Sequence, residues 1–556
     1  MGRRGLMPMC RGFKIVILAA VVLGATPGHG QQPPPQSSAE PTGFGKVSGR
    51  VLRADNGAPI RKVSVSLAQA SPRGRGESFQ AVTDAAGRFE FSEVPAGRYR
   101  LQASKPGFVP YTLGGRRGAP ARFNPFPGGA DAVLELSASA PLTGLTLKLE
   151  AAAVITGQVT DEEGDPVSFV QVSAERLRFL PGGHKRLVAS SNAITDDQGN
   201  YRLHSLPAGK YFISARRDIP GSAPFLPTYY PNAASSDAAT PVDVRVGSEV
   251  RRTDISFRTG RTFTISGTVL DTVTGGPATN YFAGYGSGTN VFGGAANSRP
   301  DGTFTLRNVP PGRFIVFAQD TGGRGGRASR TIDVVGADVQ VTLELSRGAE
   351  LHGRIRAEDN SEIESSRLRF ELVPVEEQSA FMGRAGNPGQ SGGNFSIKEI
   401  PEGELMLLVA GLPPPYYVKQ VRAGGADVTD TGIRFSAGQI ISDCEVLLAA
   451  DSAEFSGAVS DSDSQPLLGA AVFLVPVAEK LRAAARHYRT AVTGQFGRFS
   501  ISGIIPGEYL AFAVPDVEDG AQFDPEFLSR HLPHATRVTA QPSGRHDVEM
   551  KVAAPR

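Results

Sequence analysis

A short glycine motif recurs five times along this chain of 556 residues. In each copy a glycine is followed two positions later by an aromatic residue, and a second glycine follows the first by ten positions. The glycine pairs are Gly87 and Gly97, Gly199 and Gly209, Gly302 and Gly312, Gly393 and Gly403, and Gly497 and Gly507. Repetition at intervals of about 100 residues, an ordinary domain size, predicts an array of like domains rather than one large enzyme.

A second element, Gly-x-Val or a close variant, opens each repeat 45 to 52 residues before the second glycine of the pair. Its glycines are Gly49, Gly157, Gly267, Gly353 and Gly457. A turn rich in glycine and proline follows, and then a strand in which apolar residues alternate with polar ones. About seven short strands per repeat with regular turn signals predict an immunoglobulin-like sandwich.

The predicted fold class is therefore all-β, as a tandem array of five immunoglobulin-like or prealbumin-like β-sandwich modules. The predicted modules are residues 44–150, 151–260, 261–347, 348–452 and 453–556. Residues 92–97 are too few for a crossover helix, so the strands around Phe89 and Tyr99 are expected to pair antiparallel. The best helical candidate is residues 479–489, in a loop of the fifth module.

The first thirty residues have the pattern of a secretory signal peptide. Four basic residues come first, residues 15–25 form an apolar run too short to span a bilayer, and small residues end at Gly30. Residues 31–43, rich in proline, glutamine and serine, are expected to form a linker. No later stretch is apolar and long enough to cross a membrane. We therefore expect an exported protein, periplasmic or secreted to the cell surface.

Loss of the predicted signal peptide changes the charge and cysteine content. The remainder holds 54 basic and 55 acidic residues, so it has no electrostatic footprint for nucleic acid. Cys10 leaves with the leader, and Cys444 is then the only cysteine, which excludes a disulfide within the chain. Each module must be held together by its own apolar core, which a domain of about 100 residues can supply.

The repeat resembles the carboxypeptidase regulatory-like domain, a transthyretin-like and carbohydrate-binding-like sandwich. The residues that carry the resemblance in the first copy are Gly49, Val51, Gly57, Pro59, Thr83, Asp84, Gly87, Phe89, Val94, Pro95, Gly97 and Tyr99. The later copies keep the glycines, but Phe314 and Leu405 replace the tyrosine. The resemblance implies a fold and an exported location more than a reaction, since this domain is not itself catalytic.

Catalytic, cofactor and metal sites are not predicted for this chain. His546 and Glu549 have a spacing used by zinc peptidases, but they lie on an alternating strand and need not converge. His531 and His534 are interpreted as loop residues, although a weak metal contact is the alternative. Aspartate-rich turns at Asp196 and Asp461 are interpreted as side-chain caps rather than calcium sites.

Two pairs of tyrosines are candidates for contact with carbohydrate or a partner: Tyr229 with Tyr230, and Tyr416 with Tyr417. Both pairs follow the strand that begins at the second glycine of a repeat. Exposed aromatic rings can stack on sugar faces, but the same rings could pack against the next module. The predicted function is an exported, non-enzymatic scaffold, spacer or protein-interaction surface at the bacterial cell envelope. Carbohydrate binding is the alternative, and cell-envelope proteins or polysaccharide are the expected partners; the oligomeric state stays open.

Overall fold

The computed structural model describes residues 44–69, 77–113, 134–137, 141–179, 185–217, 225–287, 291–321, 326–363, 368–375, 384–388, 393–515, 517 and 520–552. The predicted signal peptide and linker, residues 1–43, lie outside this part of the chain. Residues Gly43–Arg556 form one compact unit. The described residues fold into strands with one short α-helix and a few 3-10 helices, which confirms the predicted all-β class.

The first two modules are sandwiches of two sheets. The strands of the first are β1 (Phe44–Arg53), β2 (Ser64–Gln69), β3 (Ser78–Val82), β4 (Arg88–Pro95), β5 (Gly97–Ser104), β6 (Tyr111–Thr112), β7 (Leu134–Leu136) and β8 (Leu142–Leu149). Those of the second are β9 (Ala153–Thr160), β10 (Gln171–Phe179), β11 (Lys185–Ile194), β12 (Asn200–Leu206), β13 (Gly209–Arg216), β14 (Thr228–Tyr229), β15 (Val242–Val244), β16 (Glu249–Val250) and β17 (Ile255–Ser256). Sheet β4-β1-β8 faces β3-β2-β5-β6, and β12-β9-β16 faces β11-β10-β13-β14.

The third module repeats this arrangement, whereas the fourth joins its strands into one continuous sheet. The third has β18 (Phe263–Asp271), β19 (Tyr281–Ser287), β20 (Val291–Asn297), β21 (Thr303–Val309), β22 (Gly312–Asp320), β23 (Arg327–Val334) and β24 (Val339–Leu345). The fourth has β25 (Ala349–Ala357), β26 (Arg369–Pro374), β27 (Arg384–Pro388), β28 (Asn394–Ile400), β29 (Gly403–Ala410), β30 (Tyr417–Ala423), β31 (Ala426–Asp427), β32 (Ile433–Phe435) and β33 (Ile440–Ala449). Strand β27 pairs with both β26 and β28 and so connects the two layers.

The fifth module adds helical segments to the same two sheets. Its elements are β34 (Ala453–Ser460), β35 (Ala471–Pro476), β36 (Arg489–Val492), β37 (Arg498–Ile504), β38 (Gly507–Val514), α1 (Pro525–His531), β39 (Thr536–Ala540) and β40 (Arg545–Lys551). The sheets are β37-β34-β40 and β36-β35-β38-β39. Residues 479–489 form 3-10 helices at Glu479–Ala483 and Ala485–His487 and then enter β36, so the helix predicted there is wrong in type.

Each module encloses a separate hydrophobic core between its sheets. The exact limits of the five modules stay predictions, but no core cluster of the described residues runs through two of them. Most members of each cluster come from the inward-facing positions of alternating strands, as the period-two pattern predicts. In β35, by contrast, all six residues are buried, because this strand has apolar contacts on both faces.

The two glycine motifs meet across the first sheet of every module. Each Gly-x-Val glycine pairs with the aromatic residue of the later motif: Gly49 with Phe89, Gly157 with Tyr201, Gly267 with Phe304, Gly353 with Phe395, and Gly457 with Phe499. A Cβ on Gly457 would lie 1.9 Å from the Val548 carbonyl oxygen and 3.0 Å from the Phe499 ring. Only glycine fits, because backbone and ring occupy the space of a side chain.

The turn between the paired glycines carries the chain from one sheet to the other. Strand β4 pairs with β1, whereas β5 pairs with β2, so the predicted antiparallel pairing of β4 with β5 is wrong. The physical reason is a β-bulge: Glu93 has a φ of 58°, and the register of β1 against β4 shifts nearby. The equivalent residues Ser205, Asn308, Glu399 and Gly503 also have positive φ.

Side-chain hydroxyl groups make recurring hydrogen bonds to the backbone of two turns. The hydroxyl of Tyr211 donates to the carbonyl oxygen of Pro207, four residues earlier, at 2.7 Å, and Tyr99 and Tyr509 make the equivalent bond at 2.8 Å. The buried Thr195 hydroxyl accepts from the Val170 N–H and donates to the Val167 carbonyl oxygen. These bonds satisfy backbone groups that the irregular turns leave outside the sheets.

Candidate functional site

The first tyrosine pair, Tyr229 and Tyr230, packs into the second module and does not lie on its exposed surface. Tyr229 is 6 % exposed, and Tyr230 packs against the core of that module. Burial raises the pKa of Tyr229 to about 12, and the negative charge of Glu175 adds to this effect. Glu175 is itself buried and accepts a hydrogen bond from Ser214 at 2.9 Å, so this pair belongs to a polar cluster inside the module.

The second tyrosine pair lines a cleft between the fourth and fifth modules. The cleft encloses about 400 Å³, and Tyr416 and Tyr417 form part of its wall. The Tyr416 hydroxyl lies 2.6 Å from the Ser361 hydroxyl, which orients its ring. Burial, followed by the negative charge of Asp451, raises the pKa of Tyr417 to about 12. Both rings are half-buried, so each keeps a part that faces the cleft.

An ion pair joins the two modules beside the cleft. The Arg486 guanidinium of the fifth module donates to both carboxylate oxygens of Asp430 in the fourth, at 2.5 and 2.9 Å, and to the Val418 carbonyl oxygen at 3.2 Å. Burial alone would raise the pKa of Asp430. The nearby His487 ring, with Nε2 3.8 Å from Asp430 Oδ2, and the hydrogen bonds and charge of Arg486 outweigh burial and hold that pKa well below its ordinary value.

A second arginine closes the fifth-module side of the cleft. Arg489 donates to the Gly503 carbonyl oxygen through Nη2 at 2.7 Å and through Nε at 3.1 Å. Its Nη1 donates to the carbonyl oxygens of Arg486 and Tyr488. The cleft therefore combines aromatic rings with guanidinium groups whose positions are fixed. Because these guanidinium groups are already bonded to the protein, the surface suits a ligand that stacks on the tyrosine rings.

His546, His531 and Cys444 are occupied by packing contacts, whereas His534 is exposed. His546 and Glu549 are three residues apart on β40, which places them on opposite faces, and the His546 ring stacks on Phe455 at 4.7 Å. His531 is buried with Nδ1 at 2.8 Å from the Phe527 carbonyl oxygen. In the part of the chain that the structure describes, no group of three metal-ligating residues is present. Cys444 is buried, and burial raises its pKa to about 12.

The aspartate-rich turns hold their side chains in local hydrogen bonds. Asp196 Oδ1 accepts from the backbone N–H groups of Gln198 and Asn200, at 3.0 and 2.8 Å. Asp461 makes the equivalent bonds in the fifth module. These contacts match the interpretation of the turns as capped by their own aspartates.

A depression of about 620 Å³ lies on the first sheet of the fourth module and includes His352, Arg354 and Glu445. Its charges are paired within the sheet. Arg354 and Arg356 both contact Glu445, and His352 Nε2 lies 3.0 Å from Glu350. We assign this depression no role because its charged groups already have partners.

One exposed apolar surface was not predicted from the sequence. Phe169 and Ile194 lie at the same end of the second module and are 68 % and 69 % exposed. The Phe169 N–H donates to the carbonyl oxygen of Thr195, which places the two residues on adjacent segments. Phe169 also has a φ of 57°, an unusual conformation for a bulky residue. We call these two residues the module 2 tip; Phe169 stands just before β10, and Ile194 is the last residue of β11.

No helix in the described ranges is both long and apolar enough to cross a membrane. The described residues form a protein built from repeated β-sandwiches. Residues 46–124 and 154–251 match the family model described as the carboxypeptidase regulatory-like domain. The first and second modules thus match the carboxypeptidase regulatory-like domain that their glycine motifs resemble.

Solved structures with similarity to the chain include three pilins. A streptococcal ancillary pilin is 11 % identical, with 54 % of this chain and 99 % of that chain covered and a TM-score of 0.19. The minor pilin of Streptococcus agalactiae is 15 % identical, with coverages of 39 % and 97 % and a TM-score of 0.22. The major pilin subunit of Bacillus cereus is 12 % identical, with coverages of 54 % and 99 % and a TM-score of 0.14. Nothing about function follows from TM-scores this low. No curated protein matches the chain.

Proposed function

We propose that this chain is an exported, non-enzymatic scaffold that presents protein-interaction surfaces at the cell envelope. The observation that carries the proposal is the module 2 tip. Neighbouring large apolar side chains that are exposed together form a candidate contact surface, whereas single ones are common on any protein. The resemblance to a non-catalytic domain supports the non-enzymatic part, and the signal-like leader supports export.

The test is a comparison of two purified variants of the full chain in a pull-down from the cell-envelope fraction. We expect the Phe169→Ser/Ile194→Ser double variant to lose a partner that the unaltered chain retains. Phe496→Ser is the matched control, because Phe496 is also 69 % exposed and has a φ of 62° but lies in the fifth module. Equal recovery of every partner by all three proteins would contradict the proposal.

Export is tested separately by the mass of the mature protein. We expect cleavage after Gly30 and recovery of the processed chain outside the cytoplasm. An unprocessed chain that stays in the cytoplasm would contradict an envelope location, whatever the result of the pull-down.

Carbohydrate binding through the cleft between the fourth and fifth modules is the second candidate. The observation that favours it is the presence of both Tyr416 and Tyr417 on the wall of this cleft. A glycan array on the mature protein tests it, with Tyr417→Ala expected to lose any signal. Tyr229→Ala serves less well, because loss of a ring that is 6 % exposed would disturb packing. Binding to no glycan would remove this candidate.

A further inference from the structure

The fifth module has a second apolar layer on the outer face of one sheet. This layer contains Phe473 and Phe512 from β35 and β38, and helical segments cover it with Phe523 and Phe527. The Phe473 and Phe527 rings meet edge to face at 5.7 Å. No such second cluster is found among the described residues of the other four modules.

Part of this layer is covered by another module. Phe179, the last residue of β10 in the second module, packs against the second apolar layer. Gly520 of the fifth module lies directly against it, since a Cβ there would be 2.4 Å from the Phe179 carbonyl oxygen. On its own hairpin, Phe179 is flanked by the Lys185 ammonium, 5.7 Å from the ring centre. The backbone of the β10–β11 hairpin therefore lies in direct contact with the backbone of the fifth module.

The fifth module also contacts the first. Leu468 packs against the first module's core, and a Cβ on Gly469 would lie 3.8 Å from the Tyr111 hydroxyl. Tyr111 lies three residues after Phe108, which forms a β-bridge with Ala151 at the joint between modules 1 and 2. This joint is closed further by backbone hydrogen bonds, including one from the Ala152 N–H to the Gly107 carbonyl oxygen at 2.9 Å.

From these contacts we infer that the fifth module is an intramolecular clasp across the joint between modules 1 and 2. Its second apolar layer is the docking surface, and the occupant is the β10–β11 hairpin of the same chain. Leu468 supplies the contact on the other side of the joint. This goes beyond the proposed function, since it concerns which modules move together and not what the array binds.

A comparison of equivalent positions in the repeats supports a role for Leu468 and Gly469 in the contact with the first module. The equivalent residues of the second module, two and three positions after the turn proline, are Ser168 and Phe169. There the bulky Phe169 projects into solvent, whereas in the fifth module the smaller Gly469 lies beside Tyr111. At the other contact Gly520 is required, because a Cβ would overlap the Phe179 carbonyl oxygen.

Hydrogen exchange of the full chain, read by mass spectrometry, tests the clasp. We expect Phe179→Asp to raise exchange about tenfold or more in α1 and at the end of β10, because both lose their cover. Leu468→Asp should raise exchange near Tyr111. Phe496→Asp is the matched control, an exposed phenylalanine of the fifth module outside both contacts, and we expect it to leave these segments unchanged.

Two further measurements test whether the variants remain folded and whether the docking occurs within one chain. Unchanged exchange in β9 and β34, the central strands of the first sheets of the second and fifth modules, shows that the variants remain folded. A rise of exchange in α1 in Phe496→Asp equal to that in Phe179→Asp would overturn the inference. The mass in solution, measured at several concentrations, distinguishes docking within one chain from docking between two copies. Protection that depends on concentration, or a Phe179→Asp variant identical to the unaltered chain, would also overturn it. The pull-down that tests the module 2 tip is independent of these results.

Discussion

The buried threonine of the Thr-Asp turn is expected to contribute more to stability than its size suggests. In the second module the Thr195 hydroxyl accepts from the Val170 N–H at 2.9 Å and donates to the Val167 carbonyl oxygen at 2.8 Å. Thr195→Val keeps the shape and removes both bonds. Each backbone group then stays buried without a partner, at a cost of about 1–3 kcal/mol.

The free energy of unfolding of the second module is therefore expected to fall by about 2–4 kcal/mol. This figure adds the cost for the two backbone groups and subtracts the gain from a more apolar side chain. That loss corresponds to exchange faster by about 30-fold to 1000-fold, since about 1.4 kcal/mol is a factor of ten. The assay is hydrogen exchange of the full chain, read in β10 and β11. Peptides from the third module provide the internal reference.

Thr195→Ser is the control, because serine keeps the hydroxyl and loses only a methyl group. We expect it to stay close to the unaltered protein. The reasoning would be refuted if the valine and serine variants exchanged at the same rate in β10. Thr83 and Thr493 make the same pair of bonds in the first and fifth modules, so the experiment can be repeated there.

Three other outcomes are expected. The stabilisation that Asp430 gives to the contact between the fourth and fifth modules should be complete above the ordinary carboxyl pKa of about 4, decline as pH falls below it, and be lost as pH falls through the lowered pKa of the folded protein; Asp430→Asn should remove this pH dependence of exchange around Arg486. Cys444 should resist alkylation by iodoacetamide at pH 8 in the native protein and react rapidly in denaturant, since burial raises its pKa to about 12; rapid native labelling would contradict its burial. Gly457→Ala should destabilise the fifth module by about 1–3 kcal/mol or more, because a Cβ would overlap the Val548 carbonyl oxygen, and an unchanged melting profile of that module would count against the close approach.

The repeat was predictable because its residues are selected by backbone geometry. Gly87 and its equivalents have a positive φ, and Gly457 and its equivalents have no room for a Cβ, so the same residue types recur wherever the same geometry recurs. The crossing between sheets was not predictable by loop length alone. A bulge at Glu93 turns the chain within a few residues, and a bulge has no fixed residue type.

The candidate site was predicted only in part. The sequence placed Tyr416 and Tyr417 in a loop after a strand, but their cleft depends on Arg486 and Arg489 from the next module, which no local pattern brings together. Helix α1 was missed although Asp524 caps it and Pro525 begins it, because seven residues are too few to show a helical period. Contacts between modules are set by tertiary packing, which periodicity does not encode.

In every module the opening strand runs parallel to, and beside, the closing one: β1 with β8, β9 with β17, β18 with β24, β25 with β33, and β34 with β40. Parallel neighbours place the entry and exit of the polypeptide at opposite ends of the module. Tension applied through the chain would then load all hydrogen bonds of this ladder together, in shear, instead of opening them one after another. Each sandwich is thereby suited to resist pulling forces along its length.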